Sequence, residues 1–201
     1  MLVLAYHHPL EIAKRYGTLD MISDGRLILG VGVGTLKEEF DLIGAPYDDR
    51  GPRGDDAMRA LRVSLSQSQP EYHGEFYDFE GMVVDPCAVQ ERVPLWVGGR
   101  TLRSVRRAAT LADGWCPFAV THAEAQEWLR QVELPPNFDV VLPPTARLDP
   151  INDPGRTQDV LAATAAAGAT IVAVGGKRET LSEYLEHIEA LAEVHAEMGT
   201  S

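Results

Sequence analysis

Short apolar runs alternate with amphipathic stretches along the chain. Five apolar runs predict strands at residues 26–31, 94–97, 114–118, 138–142 and 169–174, with residues 2–5 as a further candidate. Apolar residues at helical spacing predict helices at residues 9–23, 55–67, 101–112, 122–132, 157–167 and 180–198. Strands that alternate with helices are typical of a parallel sheet. The pattern therefore predicts an α/β fold.

One segment interrupts this alternation. Residues 72–79 alternate in hydrophobicity and contain a turn glycine, Gly74, which predicts a hairpin or short strands. We place this hairpin-like excursion at about 68–92. The remaining elements form one continuous series, so the sequence predicts a single domain over residues 1–201.

Composition narrows the class of protein. The chain has 201 residues, 45% hydrophobic and 24% charged, with a formal net charge of -12. That charge argues against nucleic-acid binding, which needs clustered cationic side chains. No apolar run approaches the roughly 20 residues of a membrane span. The cysteines, Cys87 and Cys116, lie in unrelated contexts, and free thiols are favoured over a disulfide. We expect a cytoplasmic protein.

Glycines follow three of the predicted strands. They are Gly32 and Gly34, Gly98 and Gly99, and Gly175 and Gly176. In parallel α/β folds ligands bind at the carboxyl ends of strands, where glycine allows close approach to the backbone.

Two of these glycine pairs continue into helices with cationic residues. Gly98-Gly99-Arg100-Thr101 has the parts of a phosphate-binding turn, since a helix N-terminus follows with free N–H groups. A tight turn without a ligand is an equally good interpretation. Gly175-Gly176-Lys177-Arg178 is a second candidate, for which the simple turn is favoured. The spacing Gly-x-Gly-x-x-Gly of a dinucleotide-binding unit is absent.

Catalytic residues cannot be assigned from the pattern. Glu39 could act as an acid or base, but pairing with a cation such as Arg50 is favoured. Asp113 is interpreted as a turn-capping residue, and Trp115 as a core residue that could line the pocket. No metal-ligand spacing and no Ser/His/Asp arrangement is evident, so we expect no metal site.

Several motifs, taken together in order, resemble the luciferase-like monooxygenases. They are His8-Pro9-Leu10, Thr18-Leu19-Asp20, Ser23-Asp24-Gly25-Arg26, Leu29-Gly30-Val31-Gly32, Glu39-Phe40, Gly98-Gly99 and Ala112-Asp113-Gly114-Trp115. The resemblance covers residues 3 to about 118 and is strongest with the actinobacterial deazaflavin branch. It implies a TIM barrel that binds coenzyme F420 or FMN.

The resemblance also assigns expected roles. Gly98, Gly99, Arg100 and Thr101 correspond to the family's cofactor-phosphate site, and Gly32-Val33-Gly34 to the strand end beside the cofactor ring. The expected activity is hydride transfer or monooxygenation of an unknown small organic substrate, with coenzyme F420 as the expected cofactor and FMN as the alternative.

The family pattern begins in this chain near the end of the family's third strand. The sequence therefore predicts a partial TIM barrel that lacks the first two or so βα units. Open sheet edges invite pairing with another chain, so we expect a homodimer or higher homo-oligomer that covers the opening. One alternative is a non-catalytic truncated barrel or a fragment of a longer enzyme. Another is a phosphate-binding barrel of aldolase or isomerase type, with Lys177 as the base.

Overall fold

The computed structural model describes residues 1–175 and 179–199 and has an α/β architecture. Its strands are β1 (Leu2–Val3), β2 (Leu29–Gly32), β3 (Tyr72–His73), β4 (Asp78–Phe79), β5 (Leu95–Gly99), β6 (Gly114–Pro117), β7 (Asp139–Leu142) and β8 (Ile171–Val172). Its α-helices are α1 (Pro9–Ile22), α2 (Lys37–Ile43), α3 (Arg50–Ser64), α4 (Leu102–Leu111), α5 (His122–Leu129), α6 (Pro154–Ala166) and α7 (Leu181–Met198).

All six predicted parallel strands and all six predicted helices are present, with some changes at their ends. The first strand is limited to β1, because the chain turns into a 3-10 helix at Leu4–Tyr6. Helix α3 begins at Arg50, five residues before the predicted start at residue 55, in a stretch that contains Gly51, Pro52 and Gly54. Pro52 fits there because N–H groups in the first turn of a helix have no intrahelical partner. Helix α2 was not predicted.

Two compact units make up the chain. The first contains Met1–Phe118 and Leu134–Phe138, and the second contains Ala119–Glu133 and Asp139–Ser201. The single domain expected over residues 1–201 stays a prediction.

The first unit is built on a parallel sheet in the order β1-β2-β5-β6. Alternate residues of β2 and β5 are buried, among them Val31 and Val97, which lie opposite each other in the register. Val97 in turn lies opposite Trp115, which is fully buried. This period of two gives the sheet one apolar face for helix packing. Trp115 is therefore a core residue, as expected.

The predicted excursion contains an antiparallel pair, β3 with β4. Asp56 of α3 anchors it, since its carboxylate accepts hydrogen bonds from Tyr72 Oη (2.5 Å), Phe76 N (2.8 Å) and Tyr77 N (3.1 Å). A two-stranded hairpin is marginal alone, so these bonds to a buried carboxylate stabilise its position on the helix.

The second unit pairs β7 with β8 in parallel and packs α6 against α7. Leu148, Leu161 and Val194 form its buried cluster. Thr180 is the N-cap of α7: its Oγ1 accepts from Glu183 N (3.2 Å), and the Glu183 carboxylate accepts from Glu179 N (3.0 Å). Glu183 thus bonds the backbone N–H of the residue before the N-cap, whereas in a capping box it would bond the N–H of the N-cap itself.

Two further expectations concern the whole described chain. Cys87 and Cys116 are free thiols, as predicted. Across residues 1–175 and 179–199, none of the helices combines the length and the apolar character that crossing a membrane requires.

Candidate functional site

A largely apolar cavity of about 360 Å³ lies at the carboxyl ends of β1, β2, β5 and β6 in the first unit. It is lined by Met1, Leu2, Val3, Gly32, Val33, Gly34, Thr35, Leu36, Glu39, Gly98, Gly99 and Phe118. Five of the seven cofactor-binding residues predicted from the sequence are in this set. The strand ends therefore bring the two predicted glycine segments to one cavity.

Three glycines lie on one face of the sheet beside this cavity. A Cβ atom on Gly30, Gly32 or Gly98 would lie 3.5, 3.7 or 1.9 Å, respectively, from the Met1 side chain, so all three lie on the same face of the sheet. We call Gly30, Gly32 and Gly98 the glycine face. Because glycine has no side chain, a planar group can approach the backbone there.

The turn after β5 is held by Ser104 of α4. Gly99 has φ 148°, and a Cβ atom there would lie 2.4 Å from Ser104 Cβ. Ser104 Oγ donates to Thr101 O (2.6 Å) and accepts from Trp115 Nε1 (3.1 Å). Ser104 thus connects the tight turn to the first turn of α4. This geometry is compatible with both interpretations of Gly98-Gly99-Arg100-Thr101, a phosphate-binding turn and a tight turn without a ligand.

Arg100 and Thr101 flank the cavity and do not line it. Both are exposed, and the Arg100 guanidinium lies 5.8 Å from the ring centroid of Phe118, which does line it. Thr101 is the N-cap of α4. Arg100 is therefore an exposed cation at the rim, next to the start of α4, where the helix N-terminus favours an anion.

The strand end after β2 is supported by Arg50. Gly34 has φ 81°, a left-handed conformation that favours glycine, and its carbonyl accepts from Arg50 Nε (3.3 Å). The guanidinium also donates to Tyr47 O (2.9 Å) and stacks 3.8 Å from the centre of the Tyr47 ring. Arg50 thereby fixes the loop that forms one wall of the cavity.

The predicted pairing of Glu39 with Arg50 is wrong, because Arg50 is bonded to backbone carbonyls instead. Glu39 Oε2 accepts from Tyr6 Oη (2.9 Å), across 33 residues of sequence. Desolvation and this hydrogen bond raise the pKa of Tyr6. Among the residues that line the cavity, Glu39 is the one with an ionisable side chain. The sequence pattern gave no signal for Tyr6.

Asp113 lies at the opposite ends of the strands and has a structural role, but it bonds the neighbouring strand β5 and two arginines instead of capping a turn as predicted. Its carboxylate accepts from Leu95 N (2.8 Å), Arg62 Nη2 (2.5 Å) and Arg92 Nε (2.9 Å). Burial alone would raise the pKa of Asp113, but these hydrogen bonds outweigh it and hold the pKa below its usual value.

Two other sequence predictions are the second glycine candidate and the expected absence of a metal site. In the second glycine candidate, Gly176, Lys177 and Arg178 lie outside the described residues, and so does the base of the aldolase interpretation. For a metal, ligand atoms of Glu71, His73 and Glu80 lie within 4.8 Å of one another on the exposed hairpin. Ion pairing of His73 with Glu71 (3.1 Å) already accounts for part of this grouping.

Comparison with known proteins gives a family. Residues 1–134 match the model for luciferase-like monooxygenases. An uncharacterized protein of Mycobacterium tuberculosis is 36% identical over 115 residues, which are 57% of this chain and 39% of that protein. A second uncharacterized protein of Mycobacterium tuberculosis is 31% identical over 189 residues, which are 92% of this chain and 65% of the relative.

One named enzyme is also similar. The FMNH(2)-dependent dimethylsulfone monooxygenase of Pseudomonas putida is 32% identical over 110 residues, covering 53% of this chain and 30% of the enzyme. The chain spans less than two thirds of each of these relatives.

Solved structures share the fold at low identity. Monooxygenase RslO1 from Streptomyces bottropensis superposes with a TM-score of 0.62 at 21% identity, covering 83% of this chain and 57% of that one. The coenzyme F420 dependent tetrahydromethanopterin reductase from Methanopyrus kandleri gives 0.57 at 23% identity, covering 79% and 50%. An F420-dependent secondary alcohol dehydrogenase gives 0.60 at 16% identity, covering 96% and 69%. The fold is therefore that of part of a TIM-type barrel, as predicted, and the chain belongs to the luciferase-like monooxygenase family of oxidoreductases.

Proposed function

We propose that this chain binds coenzyme F420, with FMN as the alternative, and takes part in oxidation or reduction of a small organic substrate. Both cofactors occur in the names of similar proteins: F420 in the reductase from Methanopyrus kandleri and FMNH(2) in the monooxygenase from Pseudomonas putida. Family membership supports the reaction class, and the choice of cofactor is our proposal.

The observation that carries the proposal is the glycine face beside the cavity. A planar ring system needs backbone that it can approach closely, and Gly30, Gly32 and Gly98 supply it on adjacent strands, beside Trp96, which lies opposite Gly30 in the register. The cavity lining is mostly apolar, which suits the faces of an aromatic ring. Met1 contacts this face now and has a flexible side chain, so it can move aside when a ring binds.

The phosphate of either cofactor fits the start of α4. Gly99 allows close approach, the first turn of the helix presents free N–H groups, and Arg100 adds a positive charge at the rim. Thr101 contributes a hydroxyl at the N-cap position. Ser104 holds this turn by its bonds to Thr101 and Trp115, so the site is pre-organised.

When bound, such a cofactor supplies hydride transfer, or oxygen activation in the flavin branch. The chain's part is to orient it and to exclude water with the apolar lining. Glu39 places one carboxylate at the cavity and is itself positioned by Tyr6. That carboxylate can accept a hydrogen bond from a polar group of the ligand.

The test is a fluorescence titration of the purified protein with coenzyme F420 and with FMN in parallel. We expect tight binding of one of them. Arg100→Gln should weaken this binding about tenfold, because a charge-assisted hydrogen bond to phosphate is lost. Arg103→Gln is the matched control, since Arg103 is exposed on the same helix and does not line the cavity. No binding of either cofactor, or equal losses in both variants, would contradict the proposal.

We also propose that the chain forms a homodimer or higher homo-oligomer. In the described residues β1 pairs with β2 alone, so its second edge is free to bind another chain. Large apolar side chains are exposed as well, including Leu42 at 86% and Ile22 at 73%. Sedimentation velocity of the intact protein should give a dimer or larger species, and a well-folded monomer would refute this.

A further inference from the structure

A second cleft, of about 550 Å³, lies at the amino-terminal ends of β5 and β6 in the first unit, away from the glycine face. Its charged lining residues are Arg59, Arg62, Arg92 and Asp113. Three guanidinium groups and one carboxylate leave two positive charges there, although the formal net charge of the chain is -12. We call it the arginine cleft.

Asp113 fixes two of these arginines in place. Its Oδ2 lies 2.5 Å from Arg62 Nη2, and its Oδ1 lies 2.9 Å from Arg92 Nη2. Arg62 also donates to Val93 O (2.9 Å) and Leu111 O (3.3 Å). Leu111 is the last residue of α4, and the carboxyl end of a helix carries a partial negative charge that repels anions. The hydrogen bond from the Arg62 guanidinium to the Leu111 carbonyl offsets this charge. The wall of the cleft is therefore rigid and positively charged.

Arg59 and Arg92 retain donors that face solvent. Arg59 is exposed and forms none of the ion pairs found among the described residues. The Arg92 side chain is 62% exposed despite its bond to Asp113. Each guanidinium has five N–H donors in a fork that matches phosphate oxygens. These two side chains supply the donors for a ligand, and Arg62 supplies a fixed charge behind them.

We propose that the arginine cleft binds the phosphate of a small phosphate monoester. A dianion balances the two unmatched positive charges. The cleft falls within the roughly 300–1,000 Å³ of typical ligand pockets and exceeds what a free phosphate needs, so it leaves room for an organic group. This site is separate from the proposed cofactor site, because the two share no lining residue.

Isothermal titration calorimetry with glycerol 3-phosphate, and with inorganic phosphate in parallel, tests the proposal against potassium chloride at equal ionic strength. We expect saturable binding of the monoester and weaker binding of inorganic phosphate. Arg59→Gln and Arg92→Gln should each weaken the binding about tenfold. Arg103→Gln, an exposed arginine outside the cleft, should bind like the wild type.

Two control experiments distinguish binding in the arginine cleft from binding at the cofactor site and from unfolding of the variants. Arg100→Gln should leave monoester binding unchanged, since Arg100 lies at the other cavity. Thermal melts should show Arg59→Gln folded like the wild type, because Arg59 is exposed and, within residues 1–175 and 179–199, takes part in none of the ion pairs. Binding that survives Arg59→Gln and Arg92→Gln, that is lost in Arg100→Gln, or that does not exceed chloride would overturn the proposal. None of these results depends on whether the protein binds F420 or FMN.

Discussion

The indole N–H of Trp115 donates a hydrogen bond of 3.1 Å to the hydroxyl of Ser104. This bond joins β6 to α4 directly beneath Gly99, whose missing side chain leaves the space that Ser104 occupies. Trp115 is fully buried, so its N–H is shielded from water and needs an acceptor within the protein, which Ser104 supplies. The core of the first unit is in this way connected to the turn that borders the cavity.

Replacing Ser104 with alanine tests this connection. Ser104→Ala leaves the Trp115 N–H without its acceptor and removes the bond to Thr101 O. We expect a loss of about 1–3 kcal/mol in the free energy of unfolding, measured by urea denaturation. We also expect weaker cofactor binding, because the turn at Gly99 becomes less well ordered.

Thr110→Ala is the matched control on the same helix. Thr110 Oγ1 donates to the backbone carbonyl of Arg106 (2.9 Å), and Thr110 is exposed. Its loss should change the free energy of unfolding by less than about 0.5 kcal/mol. Equal stability of the two variants would show that the hydrogen bond between Trp115 and Ser104 does not stabilise the first unit.

Arg50 provides a second test, at the other wall of the cavity. Its guanidinium bonds Gly34 O and Tyr47 O in two directions, which an ammonium cannot reproduce with the same planar geometry. We therefore expect Arg50→Lys to weaken cofactor binding severalfold while the protein stays folded. Fluorescence titration and circular dichroism of the same samples measure the two effects.

Arg15→Lys is the control for Arg50→Lys. Arg15 forms an exposed pair with Glu11 (3.0 Å) on α1, and it does not line the cavity. Exposed pairs of this kind contribute at most about 1 kcal/mol, so neither binding nor stability should change noticeably. Equal binding by the wild type and Arg50→Lys would show that Gly34 does not need this support.

The sequence was sufficient to find the glycines but not the side chains around them. Gly98 and Gly99 were predicted because they follow an apolar run, and ligands bind where parallel strands end. The bond between Tyr6 and Glu39 could not be found this way. It depends on the turn at Leu4–Tyr6, which shortens the predicted first strand and redirects Tyr6.

Asp56 makes stability sensitive to acid. Burial would raise the pKa of Asp56, but hydrogen bonds from Tyr72, Phe76 and Tyr77 outweigh it and hold the pKa below its usual value. A carboxylate whose pKa is lower in the folded state contributes stability that is present above the unfolded pKa and is lost as pH falls through the folded pKa. The free energy of unfolding should therefore decrease below about pH 4.

Asp56→Asn isolates this contribution. The variant should be less stable than the wild type by about 1–3 kcal/mol at pH 7, and the difference should shrink as the pH falls below 4. Asp41→Asn is the control, because the side chain of Asp41 is 60% exposed in its pair with Lys37. Urea unfolding between pH 3 and 7 measures both, and a constant difference across that range would contradict the argument.

Gly98→Ala tests whether the glycine face is a binding surface. The added methyl group would lie 1.9 Å from Met1 Sδ and 2.4 Å from Met1 Cε, but the next atom, Val31 O, is 3.6 Å away. Only the end of a flexible side chain has to move, so the melting temperature should change little. The methyl group nevertheless stands where a planar ring would lie, and we expect cofactor affinity to fall more than about tenfold because close packing leaves no space for it.

Gly155→Ala is the matched control for this substitution. Gly155 lies in α6, and a Cβ atom there would meet nothing within 4 Å. Alanine should leave cofactor binding unchanged and add up to about 1 kcal/mol of stability, because glycine is the poorer helix former. If Gly98→Ala bound the cofactor as tightly as Gly155→Ala and the wild type, the ring would have to lie elsewhere in the cavity, and the assignment of the glycine face would fail.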